Sequence, residues 1–199
     1  MPKIVDHDER RRQIADAVYR VTARSGLDAV SLRHVAAEAG VTAGMVQHYF
    51  PSKDDMLAHA MEVARQRYEE RFTAAVAALG PDATPRETLR AILRNFIPRD
   101  AVEIDDGRVS LAFQAYAATR DEPAERLAAE DALLHGHLSG LVEACAEVSA
   151  AEASLVATGL LATAEGLGLK VLSAGLASRT AVDALDHQLA RVLGTRDTA

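Results

Sequence analysis

The sequence predicts an all-α protein, and three observations carry that prediction. Apolar residues recur at helical spacing through most of the chain, and no stretch alternates apolar and polar residues as a half-buried strand does. Alanine and leucine, both strong helix formers, dominate an apolar fraction of 49%. Helix punctuation recurs along the chain: Ser or Thr before an apolar run, Gly or Pro after it. About nine helices are expected from this pattern. A length of 199 residues leaves room for one or two domains.

The first helix is expected over 8–24, with Ile14, Ala17, Val18 and Val21 as its buried stripe, ending at Ser25-Gly26. Leu27, Ala29 and Val30 plug a small three-helix core. Ser31 caps the second helix, whose apolar face is Leu32, Val35, Ala36 and Ala39, and Gly40 ends it in a left-handed conformation. Thr42 caps the third, Met45, Val46 and Tyr49 or Phe50 point inward, and Pro51 stops it. Ser52 and Asp55 form a capping-box pair that opens a long helix over 52–79. Met56 and Leu57 place its early part in the first core; Val63, Tyr68, Phe72 and Val76 place its later part in a second.

Thr84, Pro85 and Glu87 open the fifth helix, which carries Leu89, Ile92, Leu93 and Phe96 and closes at Pro98. The charged, glycine-terminated stretch 99–107 reads as a loop or short turn. A sixth helix over 109–119 bears Leu111, Phe113 and Tyr116. A seventh over 121–147 bears Leu127, Leu133, Leu134, Leu138, Leu141 and Val142. Ser149 and Glu152 open the eighth, and Thr180 or Ser178 caps the last, with Val182, Leu185, Leu189, Val192 and Leu193.

Short helix, glycine turn, short helix is the helix-turn-helix pattern. In its nucleic-acid-binding form the second helix enters the major groove, with its N-terminal residues at the bases. Here its solvent face carries Thr42, Ala43, Gly44, Gln47, His48 and Tyr49. Small residues at the front let the backbone approach phosphates; Gln47 suits base edges, and His48 and Tyr49 suit phosphate oxygens. The candidate DNA-binding set is Ser31, Arg33, Thr42, Ala43, Gly44, Met45, Gln47, His48, Tyr49 and Lys53. A packed helical hairpin without a ligand is the plain alternative. The tail 1–7 is either disordered or an arm that reaches DNA.

The run GVTAGMVQHYFPSKDDML resembles the signature of the TetR family of bacterial repressors. The likeness covers roughly the first sixty residues and is specific, because it continues through Phe50, Pro51, Ser52 and Lys53. Gln47 departs from the pattern, standing where many relatives carry an aromatic residue. The stretches SLAFQAYAATRDEP and AEGLGLKVL are more loosely similar to the subgroup named for the repressor of betaine synthesis. The resemblance implies an N-terminal three-helix DNA-binding domain, residues 1–51, and a C-terminal effector-binding and dimerisation domain, residues 52–199. It further implies a homodimeric repressor, released from a palindromic double-stranded operator when a small molecule binds.

A net charge of −7 argues against nucleic acid, but its distribution does not. Residues 1–50 hold seven Lys/Arg against six Asp/Glu, and the acid lies in the remainder. Arg10, Arg11 and Arg12 add local positive charge, unless they only solvate a helix face.

The last two helices are apolar over more than one face, and Gly159, Gly166 and Gly168 suit close helix approach. The expected subunit contact is Leu160, Leu167, Leu185 and Leu189, in a four-helix bundle with the partner; burial within one subunit is the alternative. Phe72, Phe96, Phe113 and Tyr116, with Gln114, His135 and His137 as polar groups, are the candidate effector pocket.

No enzyme site or cofactor is read from the sequence. His135 and His137, two apart on a helix, point in different directions, and Glu130, Asp131 and His135 read better as a solvated face than as a metal cluster. Cys145 lies near Glu143 and Glu147, which disfavour a thiolate. As the single cysteine it excludes an internal disulfide and fits a reducing cytoplasm. No apolar run is expected to span a membrane, and no signal-peptide core opens the chain. The competing class is a small all-helical enzyme or structural dimer that has lost DNA binding.

Overall fold

A computed structural model describes residues 7–194. The elements run α1 (His7–Ser25), a 3-10 turn (Leu27–Ala29), α2 (Leu32–Ala39), α3 (Ala43–Tyr49), α4 (Lys53–Ala77), α5 (Pro85–Arg94), α6 (Ala101–Ala117), α7 (Asp121–Cys145), α8 (Ala150–Ala174) and α9 (Ser178–Leu193). Among the described residues there is no strand. The expected tail at 1–6 lies outside the described residues; its last residue, His7, is the first of α1.

Contacts divide the chain into two units, Met1–Glu69 with Arg108–Pro123, and Glu70–Gly107 with Ala124–Ala199. This division does not fall at 51/52, because α4 and α6 each contribute residues to both units.

The first unit is built on α1. Its stripe of Ile14, Ala17, Val18 and Val21 is buried, as are Val30, Val35, Ala36 and Ala39. Met56, Leu57 and Ala60 of α4 and Val109 and Phe113 of α6 complete this core. Ion pairs tie its rim. Glu38 on α2 accepts from Arg20 at 2.6 Å and from Arg24, and these hydrogen bonds, Arg20 first, hold its carboxyl below the usual range. Arg67 reaches Asp16 at 2.7 Å and lies 4.7 Å over the Tyr19 ring.

In the second unit, Thr84 and Glu87 close a complete capping box: the Glu87 amide donates to Thr84 Oγ1 at 3.3 Å, and the Thr84 amide donates to Glu87 Oε2 at 2.8 Å. Leu89, Ile92 and Leu93 of α5 are buried against α8 and α9. Asp186 of α9 receives Arg90 in a two-pronged pair at 2.6 Å and Arg94 at 2.9 Å. Burial opposes its charge, but those arginines hold its carboxyl below its ordinary value.

Several expectations are corrected. Residues 101–107 are helix, not loop: the Glu103 amide donates to Asp100 Oδ1 at 2.9 Å, which starts α6 earlier than its apolar pattern suggests. Gly107 sits inside that helix because a Cβ there would meet Leu172 at 3.0 Å and Pro98 at 3.3 Å. Neither Thr180 nor Ser178 caps α9; Ala177 holds the cap position without a side-chain bond. Met45, Leu111 and Val192 are exposed rather than inward, and Leu133 is 78% exposed. Val63 packs with the first core, not the second. Finally, α8 is by length and composition apolar enough to cross a membrane, contrary to the expectation that no run approaches a span.

Gly168 makes the tightest approach among the described glycines. A Cβ on it would lie 2.1 Å from the Phe96 carbonyl oxygen, a backbone atom with no rotamer to yield. Gly168→Ala should therefore destabilise the protein by about 1–3 kcal/mol or more, as overpacking does, read as a lowered urea midpoint. A parent-like midpoint would show that α8 and the Phe96 backbone do not meet this closely.

Candidate nucleic-acid interface

Seven residues make too short a helix to hold its shape alone. α3 is instead held at both ends and along one face. Thr42 Oγ1 accepts from the Met45 amide at 3.2 Å, as Ser31 Oγ accepts from the His34 amide at the start of α2. Between them Gly40 is left-handed at φ 67°, and the Val41 amide returns to the Ala36 carbonyl at 2.9 Å, which sets the turn. Val46 and Phe50 are fully buried and fix α3 to the core.

The other side of α3 is open. Thr42, Ala43, Gly44, Gln47 and His48 are exposed, Met45 is 37% exposed, and Tyr49 is half-buried. Ser31, Arg33 and Lys53 are exposed too. Ser52 Oγ accepts from the Asp55 amide at 3.0 Å, which starts α4 beside this face. All ten candidate residues thus lie in the first unit, and a Cβ added at Gly44 would meet nothing within 4 Å.

Three supporting residues were not singled out for this role from sequence. Arg11 donates to the Tyr49 carbonyl at 3.4 Å and stands 4.7 Å over the Phe50 ring, so at least one of the arginine triplet is structural. Gln13 donates to the Ala39 carbonyl at 2.8 Å. His59 on α4 lies 5.4 Å from the Phe50 ring. Its Nε2 is buried with no hydrogen-bond partner among the described residues. These contacts cross 26–39 positions of sequence or join separate helices, so no local pattern announces them.

The candidate pocket residues are divided between the two units. Phe113 is part of the first core, and the Tyr116 hydroxyl donates to Asp54 Oδ1 at 2.9 Å with Arg120 3.9 Å over its ring. Burial, then Asp54, pushes the Tyr116 phenol up. Gln114 is exposed in the same unit. In the second unit Phe72 and Phe96 meet edge-on at 5.8 Å. His135 Nε2 is already committed to the Ser154 carbonyl at 3.1 Å and Thr158 Oγ1 at 2.9 Å, and His137 is exposed. Among the described residues no group of three His, Cys, Asp or Glu could hold a metal.

The proposed subunit contacts need correction as well. Leu160, Leu185 and Leu189 are buried in the subunit's own core, and Leu167 is half-buried against it. α8 presents outward Ala151, Leu155, Thr158, Gly159, Ala162, Gly166 and Leu169, together with the charged Glu152, Glu165 and Lys170.

A capped, core-anchored short helix with one open polar face is the recognition element of a helix-turn-helix DNA-binding protein. Residues 14–60 match the bacterial regulatory proteins of the tetR family, and residues 85–194, over half of the chain, match the BetI-type transcriptional repressor C-terminal family. The chain belongs to the TetR family of transcriptional regulators, with a C-terminal region of the BetI type. It is 33% identical over 196 residues to the HTH-type transcriptional regulator BetI of Agrobacterium fabrum, covering 95% of this chain and 92% of that one. It is 37% identical over 117 residues to the HTH-type transcriptional regulator PksA of Bacillus subtilis, a match over 59% of this chain and 56% of the relative's length. A transcriptional regulator of a Rhodococcus species superposes with a TM-score of 0.82 at 30% identity, over 95% of this chain and 98% of that one. A regulator of Saccharomonospora viridis solved with choline shares the fold, with a TM-score of 0.77 at 23% identity over 90% and 95%.

His59 gives this unit a pH dependence. Burial, then the Arg11 charge, lowers its pKa below the ordinary histidine value, against smaller raising effects of Glu62 and Asp8. The unfolded chain therefore binds this proton before the folded one. The stability is whole above the ordinary histidine range and declines as pH falls from there through the lowered folded value. Thermal midpoints on either side of that window should fall more in the parent than in His59→Gln. Equal declines would place the proton-linked loss elsewhere.

Proposed function

We propose that this regulator is a repressor which grips a palindromic operator as a homodimer and releases it when a small molecule binds the C-terminal portion. In this reading residues 1–51 read the DNA and residues 52–199 bind the effector and the partner subunit. The observation that carries it is the open face of α3, small at the front and hydrogen-bonding behind. Thr42, Ala43, Gly44 and Met45 meet the groove, Gln47 reads base edges, and Ser31, Arg33, His48, Tyr49 and Lys53 take phosphates. Gly44 supports this most directly. Glycine weakens a helix by up to about 1 kcal/mol, and no atom of the described residues requires it here. A close approach by DNA backbone would.

Dimerisation is supported by α8. One face of this apolar helix is buried; the other is a stripe of Ala151, Leu155, Gly159, Ala162, Gly166 and Leu169, with Leu155 74% exposed. A Cβ at Gly159 or Gly166 would meet nothing in the subunit. A second copy covering this stripe removes apolar surface from water and uses both glycines for close approach. The repressor reading rests on the description of the C-terminal family. The effector reading draws on the choline-bound neighbour of the same fold, and the Phe72–Phe96 pair is its aromatic anchor in the second unit. Work on DNA sets the protein in the bacterial cytoplasm.

The mechanism follows from spacing. Two recognition helices must sit about 34–36 Å apart to enter successive major grooves on one face of DNA. Both α4 and α6 carry residues of each unit, so an effector that shifts either helix alters that separation. Reciprocity then requires DNA to weaken effector binding by the same factor.

Two experiments test this. Lys53→Ala should weaken binding to all duplexes alike and flatten the logarithmic salt slope by about one unit, while Gly44→Ala should keep or raise thermal stability yet weaken DNA binding at least about tenfold. Parent-like binding by both variants would remove α3 from the DNA face. Separately, Leu155→Glu should yield monomers in light scattering with helix content retained; an unchanged dimer would place the interface away from α8.

A further inference from the structure

The first residue of α1 brings a ring to the end of α3. The His7 imidazole centroid lies 4.9 Å from that of Tyr49 and 6.3 Å from that of His48, and His48 meets Tyr49 edge-on at 5.3 Å. Three polar rings from two helices thus gather at the last turn of the recognition helix. Arg11, four residues beyond His7 and so on the same face of α1, holds the two helices together through the Tyr49 carbonyl and the Phe50 ring. His7 and His48 are both exposed. The charged and titratable groups that the neighbouring turns carry are Asp8, Glu9, Arg10 and Arg11 on α1, Tyr49 at the end of α3, and Lys53 and His59 on α4.

We propose that His7 joins His48 in a phosphate clamp on the DNA, so that binding takes up protons and strengthens as pH falls. The proposal rests on the reading of α3 as the recognition helix. Imidazole changes charge within the physiological range. The neutral ring offers one N–H donor; the protonated ring offers two, with a positive charge. Two protonated rings this close repel each other, and a phosphodiester oxygen between them turns that repulsion into attraction. A phosphate seated there therefore favours the charged forms and must draw protons from solution. The Tyr49 hydroxyl adds a further donor. The end of a recognition helix is where the strand backbone passes.

The probe is a fluorescein-labelled, mixed-sequence duplex, since a phosphate clamp is independent of sequence. Its affinity is measured at constant ionic strength between about pH 6 and pH 8. The parent should bind more tightly at the lower end. His7→Gln and His48→Gln should each reduce the slope of log affinity against pH, and the double variant should lose most of it. His7→Arg, carrying a permanent charge, should restore tight binding at the upper end. A His7→Gln slope equal to that of the parent, with unchanged thermal stability, overturns the clamp. Lys53→Ala in the same assay separates the two readings: if its salt slope is flattened while the His7→Gln pH slope is parental, the clamp alone fails. If neither slope moves, the recognition helix itself is misassigned.

Discussion

The fold depends most on two buried side chains, Val46 and Phe50. They are the inward anchors of a helix of two turns, and the proposed DNA face hangs from them. Isolated, α3 would not persist, because helix nucleation is costly and seven residues return few hydrogen bonds. Burying Phe50 and Val46 contributes on the order of 1.5–3 kcal/mol each, enough to fix the helix at one angle to the core. The Phe50 ring is in turn met by Arg11 from α1 and His59 from α4. Fixing one face this firmly leaves the opposite face with no structural duty. That face can therefore hold residues chosen for groove chemistry, including a glycine the helix would do better without.

The same logic explains why the division of the chain is not a clean cut. A three-helix unit of this size has a small core, and small cores are marginal. Met56, Leu57 and Ala60 of α4 and Val109 and Phe113 of α6 enlarge it. The unit that carries α3 thus borrows stability from helices whose other ends belong elsewhere: Phe72 and Val76 on α4 pack in the second core, and Arg71 pairs with Asp106 of α6 within the second unit. In the proposed mechanism these same helices are the ones an effector would shift. The Tyr116–Asp54 hydrogen bond is the polar part of that arrangement, tying the end of α6 to the start of α4 one residue from Lys53.

Local chemistry was legible in the sequence where one residue answers to its near neighbours. Ser31, Thr42, Thr84 and Ser149 all cap the helices they were expected to cap, and Gly40 takes the left-handed turn. The helix-turn-helix could be read for the same reason. What could not be read is which of two apolar faces looks inward. Leu160, Leu185 and Leu189 share their helices with other apolar residues, and periodicity alone does not choose between core and partner; the core took them. Phe113 and Tyr116 looked like pocket residues because they are aromatic and lie in the C-terminal two-thirds of the chain. Their places in the first unit arise from a contact 62 residues long in sequence, beyond any local signal. Residues 101–107 read as loop from sequence because Gly107 looks like a stop; the space its missing side chain leaves is taken by Leu172, which no local window contains.

Glycine along α8 carries the final step. Gly159, Gly166 and Gly168 cost the helix about the same, yet they serve different ends. Gly168 is spent inside the subunit, where the Phe96 carbonyl occupies the space of its missing side chain. Gly159 and Gly166 face open space on the same side as Leu155 and Ala162. A soluble helix that exposes such a stripe is unstable against association, since an apolar surface of this kind is covered by whatever fits it. Its length and composition alone would admit a lipid bilayer as the cover. The polar groups decide against that. Glu152, Glu165 and Lys170 are exposed on the same helix, and burying an unpaired charge in hydrocarbon costs several kcal/mol, while a second α8 needs only that they remain at the rim. The helix that reads as the most membrane-like segment of the chain is thus best matched, in the proposed dimer, by its own copy.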